Sequence, residues 1–235
     1  MKTTSLKDFF KRINYEWEKD KNSLEQICSL TKTRVNPSIE KFEFTRGMEQ
    51  PFFVKAVAEY TNATNFFEIG TGRGTASYSV CLAPTISEIT TVDIIPFDKK
   101  WDTSINYAPA FVSNKDICGM IPFPEKEKIN FKHVSDYPFF MSLHSSCYDL
   151  CFIDGCHENS DAIINDFNIC FQLIKDGGYI IWDDYDPSSF EVKKVVDNIA
   201  SKHKFECELI EFRGHLFGKT EPENNAGEVL MKIKK

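Results

Sequence analysis

Three glycines on a two-residue beat, Gly70, Gly72 and Gly74 in "FFEIGTGRGTAS", follow a short apolar run and open a helical pattern. Glycine at such a junction permits a tight turn and lets backbone approach a ligand closely, which suits a nucleotide-like cofactor. The third glycine comes one residue early for the dinucleotide fingerprint, and Thr75 takes the expected place, so pyrophosphate is the less favoured ligand. Asp93 closes the next apolar run, in position to accept hydrogen bonds from ribose hydroxyls. Three more carboxylates, Asp154, Asp183 and Asp184, close two later runs. If those runs are parallel neighbours roughly 5 Å apart, the three converge at one sheet edge. Anions so close repel in a partly dry site, and a divalent cation is the remedy. Oxygen ligation without a histidine pair favours Mg²⁺ over Zn²⁺, with Mn²⁺ and Ca²⁺ open.

Each of these residues has a plainer reading. Asp154 can cap the helix that follows it, and Asp183 with Asp184 can be a solvated strand end. His157, three residues after Asp154, is a candidate general base on the loop at the strand edge, with Asp154 beside it in the catalytic group. Tyr185, Asp186 and His215 are weaker candidates. Cys147, Cys151, Cys156 and His157 invite a zinc reading, but Cys147 to Cys156 run along a strand, whereas structural zinc ligands sit on tight knuckles.

The elements that must position these residues alternate along the chain as in a wound α/β sheet. Strands are expected at Asn65 to Ile69, "EITTVDI", "KINFKHV", "YDLCFID" and "YIIWDD". Helices are expected at about Gly74 to Leu82, Asp161 to Ile174 and Phe190 to Ser201, with "KDGG" ending the second of these. "FECELIEF" and "GEVLMKIK" follow one another without a helix and should pair antiparallel. Residues 1–60 read as a helical extension or lid on the core, with Leu6, Phe9, Phe10, Ile13 and Trp17 on one stripe and a second helix over Pro51 to Tyr60. Residues 61–235 form the main domain, and the long insert at 94–127 is the candidate substrate wall.

The whole chain limits the partners. Its 235 residues suffice for one ordinary domain with a terminal extension, and its net charge of −7 repels polyanions, so no nucleic-acid substrate is expected. No apolar run reaches the roughly 20 residues of a membrane helix, and the first residues lack a cleavable hydrophobic block. A cytoplasmic protein is the expectation, free of membrane, with a homodimer allowed. Eight cysteines scattered through apolar runs read as reduced core thiols.

"FEIGTGRG", "TTVDI", "HVSD", "FIDGCH" and "DGGYIIWDDY" together resemble the class I S-adenosylmethionine-dependent methyltransferases, within them the metal-dependent small-molecule O-methyltransferases of the catechol, caffeoyl-CoA and macrocin types. The resemblance covers about Gly47 to Asp186 in order and spacing. It implies a Rossmann-like seven-stranded, mostly parallel sheet with helices on both faces and an antiparallel last strand. It also implies cofactor contacts from Glu68, Gly70, Thr71, Gly72, Asp93, Ser135 and Asp136, and metal ligands at Asp154, Asp183 and Asp184, where some members have asparagine at the last position. His157 falls where catechol-type members carry a catalytic lysine. The insert has no counterpart, so the acceptor is not carried over. The expected function is S-adenosylmethionine-dependent methyl transfer to a hydroxyl of a sugar, polyol or phenol, assisted by Mg²⁺ or another divalent cation. A metal-independent N- or O-methyltransferase is the alternative, with a non-catalytic nucleotide-binding module or a dehydrogenase behind it.

Overall fold

The computed structural model describes residues 1–32, 48–101, 112–136, 146–186, 191–212, 215–217 and 227–235. Residues 33–47 of the expected helical extension, 102–111 of the insert and the residues on either side of 215–217 lie outside the described residues.

Eight strands form one sheet among the described residues: β1 (Lys2–Ser5), β2 (Asn65–Ile69), β3 (Glu88–Asp93), β4 (Ile129–His133), β5 (Tyr148–Ile153), β6 (Ile174–Tyr185), β7 (Glu206–Glu211) and β8 (Gly227–Lys232). Their order is β1-β7-β8-β6-β5-β2-β3-β4. All pairings are parallel except those of β8, which runs antiparallel to both β6 and β7. The adjacent Phe66 and Phe67 show why β2 can be central: alternate residues face opposite sides of a strand, and each ring is fully buried in a different core. One core joins Phe66, Ile89 and Phe152 to helices α1 (Leu6–Ile13), α2 (Trp17–Lys32), α3 (Gln50–Tyr60), α4 (Thr75–Val80) and α5 (Asn114–Met120). The other joins Phe67, Ile153 and Trp182 to α6 (Ser160–Leu173) and α7 (Val192–His203). Among the described residues no helix is long and apolar enough to cross a membrane.

Three expectations need correcting. The sheet has eight strands, not seven, because Lys2 to Ser5 pair in parallel with Glu208 to Glu211. Glu208 draws that segment in: Arg12 donates to both of its oxygens at 2.7 and 2.6 Å, the Lys2 ammonium lies 3.2 Å away, and Thr4 also bonds it. The "KDGG" segment belongs to the long β6 rather than ending a helix, since Ile174 is buried opposite Tyr148 before the register shifts to Leu150 and Tyr179. The insert is not all loop. Ser113 and Asp116 form a capping box that starts α5, and Ile117, Ile121 and Trp101 are buried in the first core.

The connections run from β2 toward β3 and β4 on one side and through β5 and β6 on the other. The carboxyl ends of β2 and β5 therefore flank the crevice where such sheets bind ligands. α6 is capped by Asn159, whose side chain accepts the N–H groups of Asp161 and Ala162 at 2.9 and 3.3 Å. The cap role that Asp154 might have filled is thus taken, and its carboxylate faces the crevice.

Candidate functional site

A cavity of about 1060 Å³ opens at the carboxyl edge of β2, β3, β5 and β6. Gly70 leaves β2 with φ +91° and donates to Val92 carbonyl at 2.9 Å. A Cβ there would lie 1.9 Å from the Asp154 carbonyl oxygen, so the neighbouring loop by itself requires this glycine. Gly72, at φ +49°, is different: a Cβ there would meet nothing within 4 Å, and the residue lines the cavity. Its N–H donates to Asp93 Oδ2 at 2.8 Å, and its carbonyl accepts from Asn114 Nδ2 at 3.0 Å. Asp93 Oδ1 accepts from the N–H of Ile95 at 2.9 Å, so both carboxylate oxygens are held by backbone at the end of β3.

Glu68 lies beneath this loop. It is buried, and its Oε2 accepts from Ser77 and Thr91 hydroxyls, both at 2.5 Å, while Thr91 is in turn 2.6 Å from the hydroxyl of Thr71. Burial pushes its pKa up to about 7 against the pull of those two hydroxyls. The chain Glu68–Thr91–Thr71 ties the glycine loop to β3, so Glu68 acts on the cavity chiefly through the loop it supports.

The acidic constellation forms beside it, at the ends of β5 and β6. Asp154 continues the β2–β5 ladder, its N–H on the Ile69 carbonyl at 2.8 Å. His157 Nε2 lies 3.4 Å from Asp154 Oδ1 and 3.8 Å from Asp184 Oδ2. Donor atoms of Asp154, His157 and Asp183 all fall within 4.8 Å of one another. Asp184, at φ +51° and with 44% of its side chain exposed, stands at the rim. The structure therefore brings His157 into the group of carboxylates expected to hold a cation. Burial, then the charge of Asp154, pushes Asp183 up to about 8. Burial also raises Asp154, against the pull of His157 and Asp183. For His157 burial acts downward, but the hydrogen bond and charge of Asp154, with the charges of Asp184 and Asp183, outweigh it and bring the imidazolium up to about 9. Within the cluster Asp183 and His157 thus each hold a proton more tightly than they would in water. That donor set suits a hard or borderline divalent cation, which would displace the protons.

The remaining expected residues are scattered. Tyr185 and Asp186 line the cavity. Ser135 is exposed with its hydroxyl 2.8 Å from His133 Nδ1, and in that turn Val134 is the lining residue; the side chain of Asp136 is outside the described residues. The side chain of His215 is also outside them. Cys151 is buried in β5, whereas Cys156 is exposed beside His157. Of the insert's described residues, Ile94 lines the cavity, with 75% of its surface exposed. Sequence reasoning missed Ile94, Val134 and Asp166. The first had a signal, an isoleucine directly after a strand-end acid; the third, one aspartate among many on a helix, had none. Burial raises Asp166 to about 6 against the downward pull of the Cys156 N–H.

Residues 67–185 match the family model of a methyltransferase domain. Among curated proteins, the uncharacterized protein R132 of Acanthamoeba polyphaga mimivirus is 31% identical over 93 residues, covering 33% of this chain and 42% of the viral protein. The chain thus spans less than half the length of that relative. Two solved structures share the fold across almost the whole chain. The O-methyltransferase TomG from Streptomyces achromogenes, involved in tomaymycin synthesis and in complex with S-adenosylmethionine, is 14% identical with TM-score 0.60, over 90% of each chain. An O-methyltransferase from Bacillus cereus in complex with S-adenosylhomocysteine is 13% identical with TM-score 0.58, over 91% of each.

Proposed function

The chain belongs to the methyltransferase domain family, and from that premise we propose that it moves the methyl group of S-adenosylmethionine to a hydroxyl of a small molecule, a sugar, polyol or phenol, at a site that also takes a divalent cation. One observation carries the reading: residues of the Gly70–Gly74 loop, Asp93, and the Asp154, His157 and Asp183 cluster all line one cavity. The cofactor and its demethylated product in the two solved likenesses support the choice of cofactor.

S-adenosylmethionine supplies a methyl group on a sulfonium, transferred by in-line displacement, so alignment and removal of the acceptor proton are what the protein must contribute. Asp93, its carboxylate fixed by the N–H groups of Gly72 and Ile95, keeps lone pairs for ribose hydroxyls. Ile94 and Val134 offer apolar surface to the flat base, and covering the exposed Ile94 side chain returns up to about 1.5–3 kcal/mol. Asp154 and Asp183, with Asp184 at the rim, would hold a divalent cation, which when bound would supply Lewis acidity to the acceptor hydroxyl. His157 would accept the acceptor's proton at Nε2. It is free to do so only when the carboxylates that hold it protonated are engaged elsewhere.

A second reading, metal-independent transfer to nitrogen or oxygen, is favoured by the same imidazolium, which already compensates Asp154 and Asp184. Turnover of S-adenosylmethionine on a panel of catechols, sugars and amines, before and after EDTA, separates the two. Activity lost in EDTA and restored by Mg²⁺ or Mn²⁺ supports the first, EDTA-resistant activity the second. Binding of S-adenosylhomocysteine without transfer to any acceptor counts against both.

A further inference from the structure

Asp166 lines the cavity from α6 yet has no part in the chemistry above. The backbone N–H of Cys156 favours its charged form. The carboxylate also packs on Gly155 so tightly that a Cβ there would lie 2.6 Å from Asp166 Oδ2 and 3.2 Å from Ile69 Cγ2. The loop from Asp154 to His157 is anchored at its two ends by backbone: Asp154 N–H on Ile69 carbonyl at 2.8 Å, and His157 carbonyl accepting from Glu191 N–H at 3.1 Å. Its middle, Gly155 and Cys156, rests on Asp166. The four-residue span has a glycine inside it, so without that support several backbone torsions between the two functional side chains are freed.

We propose that Asp166 is a positioning residue: by holding the Gly155–Cys156 peptide against α6 it sets where His157 Nε2 stands relative to the Asp154 carboxylate. The inference rests on the reading of Asp154 and His157 given above. A carboxylate suits the task because the Cys156 N–H favours its charge and it lies against a glycine, where a side chain on the loop would push it away. Neither cofactor nor acceptor needs to touch it.

The test uses the full chain with Asp166→Ala, Asp166→Asn and Gly155→Ala, read by steady-state kinetics and by amide hydrogen exchange across residues 154–158 without substrate. Displacements near 1 Å at a reacting group cost about 10²-fold in rate, so Asp166→Ala and Gly155→Ala should each lower kcat by about that factor, with the KM for S-adenosylmethionine within about threefold. Exchange at 154–158 should quicken at least about tenfold in Asp166→Ala, as local opening becomes easier. Asp166→Asn keeps an oxygen for the Cys156 N–H and should restore both kcat and protection. If Asp166→Asn is as slow as Asp166→Ala while its exchange is normal, the negative charge itself acts and the positioning role is wrong. Unchanged exchange in Asp166→Ala overturns the tether. Should Asp166→Ala fail to fold, Gly155→Ala with wild-type kcat overturns the proposal alone. Because exchange is measured without turnover, a wild type that transfers no methyl group counts against the proposed function, whereas the exchange result counts for or against the tether.

Discussion

Asp183→Asn should make the cation-free protein more stable, not less. In the absence of a cation, ionising Asp183 places a second negative charge within 4.8 Å of Asp154. At an effective dielectric constant of about 20, that repulsion amounts to about 3.5 kcal/mol. The imidazolium of His157, 3.4 Å from Asp154 Oδ1, offsets part of it, and screening at a site open to the cavity leaves about 1–2 kcal/mol. The sign follows from linkage. Asp183 is raised from 3.8 to about 8 by burial and by the charge of Asp154. The folded state therefore binds this proton more tightly than the unfolded chain, and stability falls as pH rises from about 4 toward 8. An asparagine is neutral throughout and avoids that loss. For a chain of this length about 1–2 kcal/mol corresponds to a rise of roughly 2–8 °C in Tm. Differential scanning calorimetry in EDTA at pH 7.5 measures it, and the gain should shrink as pH falls and approach zero below about pH 3, where wild-type Asp183 is mostly protonated in both states. Added Mg²⁺ or Mn²⁺ should raise the wild-type Tm by mass action and leave Asp183→Asn nearly unmoved. A Tm for Asp183→Asn that is equal to or below wild type in EDTA at pH 7.5 would refute the electrostatic account of the cluster.

S-adenosylhomocysteine should raise the Tm while NAD does not, and Asp93→Ala should erase most of that rise, because Asp93 fixes Gly72 and Ile95 and would face the ribose of the proposed cofactor; a full rise in the variant counts against the assignment. His157→Ala should lower kcat by about 10² to 10⁴ on a weakly acidic sugar hydroxyl and by less on a catechol, with cofactor affinity preserved in a binding titration. Glu208→Gln should cost about 1 kcal/mol at pH 7, since Arg12 and Lys2 are 40% and 65% exposed and their pairing is discounted for solvent. Burial opposes ionisation of Glu208, yet Arg12, Thr4 and Lys2 bring its pKa down to about 2. The difference between the two proteins should therefore hold above about pH 4.5 and fade as pH falls toward 2, as urea titrations at pH 7 and pH 3 would reveal.

The parts of this protein that could be read before folding are those decided within a few neighbouring residues. The apolar runs that became β2, β3, β4 and β5, the amphipathic period of α6 and the glycine beat before α4 are local patterns, and the structure bears them out. The antiparallel last pair followed from the lack of an intervening helix, a matter of chain length alone. That Asp154 and Asp183 share an edge followed as soon as their strands were taken to be parallel neighbours, which they are.

What escaped the sequence is what distant residues decide together. Lys2 to Ser5 is too short to show a strand period, and it becomes one only because Glu208, two hundred residues away along the chain, gathers Lys2, Thr4 and Arg12. The insert's "SNKDICGM" looked like loop until Ile117 and Trp101 found the first core. That the missing side chain of Gly70 also makes room for the Asp154 backbone could not be read from the sequence. Asp166 had no signal at all, because its role depends on a loop that α6 meets only after the sheet has assembled. Even the protons at the cluster were undetermined: each carboxylate and the imidazole have ordinary affinities when solvated, and only their burial within 4.8 Å of one another makes one charge set another. Periodicity, turns and caps are short-range and are written in the chain; strand order, loop support and coupled charge depend on distances that no spacing in the sequence encodes.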